Sequence, residues 1–249
     1  MEPRVAVITP YYQESREVLW QCHQSVLDQR VSADHFMIAD GHPVAEIDSW
    51  QAHHVKLPQA HGDNGNTPRG LGSLLAKVEG YEFIAYLDAD NWYHAGHLES
   101  LLALHRQTSS AILSSFRTFH ALSGERLDIR EPEEDAFRHV DTSCLLIHRS
   151  SFDLFGIWLD MPRILSPICD RVFLAGILAK ARSVRSTGQR TVAFRTQYAN
   201  HYRAAAVPVP SGAKEENFAE GAMAYLRTQQ GVTESVRALG FWPVSFFPA

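Results

Sequence analysis

Asp88 and Asp90 flank Ala89 directly after an apolar run, Phe83-Ile-Ala-Tyr-Leu87. Two carboxylates this close are costly as anions unless a cation or hydrogen-bond donors neutralise them. Their hard oxygens suit Mg²⁺ or Mn²⁺, ions that also bind diphosphate oxygens. A bare Asp-x-Asp is equally what a solvated acidic turn looks like. The preceding apolar run favours a site, because open α/β sheets bind ligands just beyond the carboxyl ends of their strands.

The elements around the triplet supply that setting. Residues 5–9 are a short β-branched run ended by Pro10 and read as a buried strand. Residues 14–29 place Val18, Leu19, Cys22, Val26 and Leu27 on one helical face. A second strand is expected over 35–39, stopped by the turn cluster Asp40-Gly41-His42-Pro43, and a weaker one over 54–57. Residues 61–68, rich in Gly, Asn and Asp, read as a loop, 71–78 as a helix and 82–87 as a strand. A run without alternation fits a strand covered on both faces, as in a parallel sheet. Strand, helix, strand, helix, strand is the α/β rhythm. The second half predicts a helix over 97–105, a strand over 111–122, a turn at Ser123-Gly124-Glu125 with a short return strand, and a strand over 140–148. A helix over 167–182, a strand over 191–196, a Pro-rich loop over 204–212 and an amphipathic helix over 216–230 complete the pattern. No repeat, low-complexity tract or linker divides the chain, so one domain over 1–249 is expected.

Composition narrows the function classes. A net charge of −5 argues against a general nucleic-acid binder, which needs a basic stripe to displace counterions. The three cysteines, Cys22, Cys144 and Cys169, are odd in number and form no CxxC pair, so neither a zinc knuckle nor a disulfide framework is expected. Reduced thiols fit a cytoplasmic protein. No apolar run approaches the roughly 20 residues of a spanning helix, which leaves peripheral membrane contact as the only membrane role expected. The histidines show no HExxH-like ligand spacing.

Four motifs stand in order. Val5-Ala-Val-Ile-Thr-Pro-Tyr-Tyr-Gln-Glu-Ser15 opens the chain, Ile38-Ala-Asp-Gly41 follows, then Arg69-Gly-Leu-Gly72 with Ala76, then Leu87-Asp-Ala-Asp90. Each is weak alone. Together they resemble the family 2 glycosyltransferases, whose usual pattern is an opening strand with Pro-x-Tyr-Asn-Glu, then Asp-Asp-Gly-Ser, Ala-Arg-Asn-x-Gly and Leu-Asp-Ala-Asp-Asp. The resemblance covers residues 5–105 clearly and 141–202 more loosely. It implies an α/β GT-A fold, with a mostly parallel central sheet flanked by helices. Residues 1–105 would form the nucleotide-sugar-binding half, and 106–249 the acceptor-binding half with a C-terminal helix.

The resemblance also implies roles. Thr9, Pro10 and Tyr11 would line the base pocket, with Tyr11 stacking on the base. Asp40 would accept the ring N–H of uracil or thymine, and Arg69 would reach base and diphosphate with its planar cation. Asp88 and Ala89 would lie near the ribose, and Asp90 would coordinate Mn²⁺ or Mg²⁺. Taken one at a time, Asp40 is also a turn-capping Asp, Arg69 a surface arginine and Tyr11 a core aromatic. Gln13, Gly41-His42-Pro43, Gly70 and the loop over 61–67 depart from the pattern and leave the choice of base and sugar open.

Transfer needs a carboxylate to take the acceptor's proton. The family places it at the start of a helix in the second half, often in a Glu-Asp pair. Here Ser166-Pro-Ile-Cys-Asp-Arg-Val-Phe-Leu174 supplies Asp170 as the catalytic base, with Cys169 in place of the acid partner and Pro167 suited to a helix start. An Asp there also suits the helix dipole, and Asp141 and Asp160 are rivals. A late histidine, His201, is the expected second metal ligand, with Arg203 near the phosphates.

The expected activity is metal-dependent, inverting transfer of a sugar from a nucleotide-diphosphate sugar, UDP-sugar favoured, to a saccharide or lipid-linked acceptor. A non-catalytic sugar-nucleotide-binding module and a nucleotidyltransferase are the alternatives. The second would open with a Gly-rich loop bearing Arg and Lys, whereas residues 5–15 hold neither Gly nor Lys. The aromatic tail, Phe241-Trp-Pro-Val-Ser-Phe-Phe-Pro248, is expected to pack on the domain; contact with a second copy in a homodimer, or with a lipid-linked acceptor, stays open.

Overall fold

The computed structural model describes residues 3–129 and 139–247. In chain order the elements are β1 (Val5–Tyr11), α1 (Arg16–Leu27), β2 (Asp34–Ala39), β3 (His53–Lys56), α2 (Asn66–Val78), β4 (Phe83–Tyr86), β5 (Trp92–Tyr93), α3 (His97–Thr108), β6 (Ile112–His120) and β7 (Arg126–Leu127). Then come β8 (Leu145–His148), α4 (Gly156–Asp160), α5 (Cys169–Ala179), β9 (Arg185–Arg195), α6 (Ala199–Ala204), α7 (Glu220–Leu226) and α8 (Gln229–Leu239).

The strands form one sheet in the order β3-β2-β1-β4-β8-β6-β9-β5, with β7 on the side of β6. From β3 to β4 all pairs are parallel. Beyond β4 the sheet is mixed: β8 is antiparallel to β4 and β6, β9 is parallel to β6, and β5 is antiparallel to β9. The expectation of a mostly parallel sheet is therefore corrected. Leu145-Leu-Ile147 is buried, as both-face coverage requires, but an apolar run records burial and not strand direction.

Local chemistry accounts for the helices. Ser15 caps α1 by accepting the Val18 amide at 3.4 Å, and Leu19, Cys22 and Val26 turn inward. α2 lies so close on the sheet that a Cβ at Gly72 would come within 2.7 Å of Ile8. It begins at Asn66, earlier than expected, because the left-handed Gly65 ends the loop and Pro68 fits a first helical turn. The helix expected over 167–182 becomes a 3₁₀ turn, Arg163–Ile168, followed by α5.

The single helix expected over 216–230 is two. Thr228 accepts the Gly231 amide at 2.9 Å and restarts the chain as α8, since a hydroxyl cap competes with helix continuation. The break is sealed by packing: a Cβ at Gly231 would sit 1.9 Å from the Tyr225 carbonyl oxygen, and Trp242 Nε1 donates to the Leu226 carbonyl at 3.0 Å.

One core runs under both halves. Trp158 stacks on Phe173 at 4.2 Å and donates to Tyr86 Oη at 3.1 Å. From the tail, Phe241, Trp242, Val244 and Phe247 pack against that core, while Pro248 lies outside the described residues. Among the described residues no helix is long and apolar enough to cross a membrane.

Candidate active site

A cleft of about 860 Å³ opens where the parallel strands β1, β2 and β4 end. Pro10, Tyr11, Asp40, Arg69, Asp88, Ala89, Asp90, Asp170 and His201 all line it; Thr9 does not. Thr9 is fully buried beneath the cleft, with its hydroxyl 2.8 Å from His35 Nε2. It shares a face with Tyr11, two residues on, but lies deeper in β1, where Cys22 of α1 covers it.

Asp88 and Asp90 differ in their partners. Arg69 Nη2 pairs with Asp88 Oδ1 at 2.8 Å, and the Asp88 amide donates to Ser143 Oγ at 3.1 Å. The guanidinium is buried, lies over the Trp158 ring at 4.8 Å, and keeps an Nε with no hydrogen-bond partner among the described residues. Asp90 receives a 3.3 Å contact from Gln197 Nε2. Burial first, then the charges of Asp88 and Glu14, push its carboxyl up to about 7. A carboxylate destabilised in this way is one that a hard cation would relieve. Among the described residues no group of three or more His, Cys, Asp or Glu could hold a metal alone, so such an ion would complete its shell with diphosphate or water oxygens. Asn91, standing where the family pattern has a third Asp, is a tie: it donates to Ser143 Oγ at 3.1 Å and accepts the Arg195 amide at 2.9 Å.

At the other end Asp40 is 4 % exposed and already engaged. It accepts the His61 amide at 3.0 Å, the His61 ring at 2.7 Å and the Gly62 amide at 3.3 Å. His61, in the loop that departs from the family pattern, is a site residue the sequence offered no motif for. Tyr11 borders the cleft but is 2 % exposed. Its hydroxyl accepts the Val44 amide at 3.0 Å and sits 2.6 Å from His54 Nε2, while His54 Nδ1 lies 2.7 Å from Asp48. Tyr12, also on the cleft, is 43 % exposed, so it is the open aromatic at this end.

Across the cleft Asp170 stands in the first turn of α5. Oδ1 accepts the Arg171 amide at 2.7 Å, and Oδ2 lies 2.5 Å from His139 Nε2. Burial would raise its carboxyl, but the charge and hydrogen bond of His139 outweigh that and hold it at about 2. The His139 ring is raised in turn: burial opposes its charge and Asp170 more than compensates. His139 lines the cleft and belongs to no motif.

Of the rival carboxylates, Asp141 lines the cleft and Asp160 does not. Asp141 is paired with Arg117 at 2.8 Å and caps the Ser143 amide at 2.9 Å, a structural task. Asp160 ends α4 and does not line the cleft. His201 Nδ1 lies 2.6 Å from Thr196 Oγ1, and Arg203 is bound to Glu215 at 2.8 Å on the outside.

The whole fold resembles TarS of S. aureus. A crystal structure of TarS 1-349 with UDP superposes with a TM-score of 0.59 at 12 % identity, covering 96 % of this chain and 70 % of that one. TarS 1-349 with UDP-GlcNAc gives 0.57 at 14 % identity, covering 96 % and 71 %. Against the longer TarS the score is 0.57 at 12 % identity, and the chain spans 43 % of its length. At such identities the likeness speaks for the GT-A fold. No curated protein sequence matches. The family model "Glycosyl transferase family 2" matches residues 6–148, more than half of the chain, which with this fold and this cleft makes the protein a glycosyltransferase belonging to family 2.

Proposed function

We propose that the enzyme moves a sugar from a nucleotide-diphosphate sugar, UDP-sugar favoured, to an acceptor hydroxyl, with a divalent cation and with inversion. The observation carrying this is a single cleft that joins Asp40, Arg69 and the Asp88-Ala89-Asp90 turn to Asp170. The UDP and UDP-GlcNAc complexes of TarS support the choice of base. In this reading residues 1–105 hold the sugar donor and 106–249 the acceptor, a saccharide or a lipid-linked saccharide.

Asp40 meets the ring N–H of the base from the position His61 holds it in, Pro10 and Tyr11 shape that pocket, and Tyr12 offers the stacking face. Arg69, held by Asp88, turns a planar cation toward diphosphate. Asp90 would hold Mn²⁺ or Mg²⁺, with His201 as second ligand through Nε2. When bound, the ion neutralises the departing nucleoside diphosphate. Asp170 is the carboxylate on which acceptor activation depends, and a single displacement inverts the anomeric carbon.

Calorimetry with UDP-GlcNAc, with and without Mn²⁺, tests this. Binding that strengthens with Mn²⁺, accompanied by slow UDP release, is expected. Absence of UDP binding under both conditions would overturn it, and tight binding with no turnover across a panel of acceptors would instead mark a non-catalytic binding module.

A further inference from the structure

Asp170 is an awkward base. Its two oxygens already accept hydrogen bonds from the Arg171 amide and His139. Its carboxyl is held at about 2, far below the working pH at which a general base takes protons best. Its neighbour is better equipped. A carboxylate can only accept, so His139 Nε2 carries the hydrogen toward Asp170, and Nδ1 keeps the lone pair. Both side chains line the same cleft as Asp88 and Asp90, and both are about one quarter exposed, at 27 % and 26 %.

Resting on the transfer reaction proposed above, we propose that His139 receives the acceptor's proton, while Asp170 orients the imidazole and balances the charge it acquires. As the acceptor oxygen attacks the anomeric carbon, the bond from that carbon to the β-phosphate oxygen breaks and its electron pair leaves with the nucleoside diphosphate. The acceptor's proton moves to Nδ1, giving an imidazolium paired with Asp170, and passes to solvent before the next turnover.

The surroundings fit. Asp170 and Asp141 favour the charged ring, while burial and Arg117 on β6 oppose it, and the balance lies above the ordinary imidazole value. On α5, the Arg171 amide donates to the carboxylate and its charge favours the ionised form of Asp170. Tyr198 completes the neighbourhood near Asp170 and Asp141. The pattern is that of an imidazole whose second nitrogen is fixed by a carboxylate.

The probe is UDP-GlcNAc with Mn²⁺ and water as acceptor, with UDP release followed from about pH 5 to about pH 9. Wild-type rates should fall as pH drops through a limb near neutrality, because only the unprotonated ring accepts a proton. His139→Asn and His139→Gln should slow release by about 10²–10⁴-fold and lose the limb, with UDP affinity unchanged. Asp170→Asn should move the limb to lower pH. A proton NMR titration of the His139 ring, which needs no sugar donor, should show the same downward shift in Asp170→Asn. If His139→Asn stays within about threefold of wild type, or slows but keeps the limb, the proposal falls while the donor reading stands. Failure of the wild-type protein to bind UDP sinks the donor reading instead.

Discussion

On the wall of the cleft built from β1, β2 and β4, Asp90 is half-buried beside Asp88 and Glu14 and pushed up to about 7. On the wall built from α5, Asp170 is also half-buried, yet it is held at about 2. Burial acts in the same direction on both. What differs is the partner: His139 answers Asp170, while among the described residues Asp90 has a 3.3 Å contact from Gln197 and a weak pull from Arg195 against two acidic neighbours. The cleft thus holds one carboxylate with a long hydrogen bond and acidic neighbours, and one paired with a neighbouring ring.

Removing the first of these carboxylates should do most damage. Asp90→Ala should cut UDP release from UDP-GlcNAc by about 10³-fold, several kcal/mol of transition-state stabilisation, and abolish the tightening of UDP binding by Mn²⁺. Turnover and calorimetry check both parts.

Arg69 is the charge that opposes burial at Asp88, whose carboxyl is raised even so. Arg69→Met should leave Asp88 partly buried and unpaired and lower stability by about 2 kcal/mol. The loss should fall short of that for a fully buried pair because the Asp88 side chain is 35 % exposed. Chemical denaturation measures it, and UDP affinity should fall as well.

The two walls should also respond oppositely to pH. Asp90, raised from about 4, contributes stability present at low pH and lost as pH rises through about 7. Asp170, lowered, contributes stability present above about 4 and lost as pH falls toward about 2. In metal-free protein at alkaline pH, Asp90→Asn should therefore raise the melting temperature and Asp170→Asn lower it. Mn²⁺ should raise that of wild type and not that of Asp90→Asn. Two shifts of the same sign would collapse the contrast between the walls.

The smallest effect is expected away from the cleft. Thr228→Ala removes the cap of α8 and should cost about 1 kcal/mol, with UDP affinity unchanged.

Much of the wall built from β1, β2 and β4 was legible along the chain. The runs that became β1, β2 and β4, the turn after β2, and Arg69 ahead of Asp88 and Asp90 stand in a recognisable order, and their cleft-lining positions follow from strand ends. On the opposite side, Asp170 was legible through its place at a helix start and His201 as a late histidine. His139, 31 positions away, carries no motif, and the Asp40 partner His61 lies in the stretch least like the family pattern. Thr9 shows the reverse case, where a motif residue is buried beneath the cleft.

The amino-acid order by itself determined which segments are buried, where strands end and which carboxylates stand at those ends, because burial periodicity and turn chemistry are local. Only the tertiary structure decided the antiparallel entry of β8, the pairing of Arg69 with Asp88 and the meeting of His139 with Asp170. Strand direction and side-chain partners between distant segments depend on how whole elements pack. That same packing leaves Asp90 pushed up and Asp170 held down in one cleft.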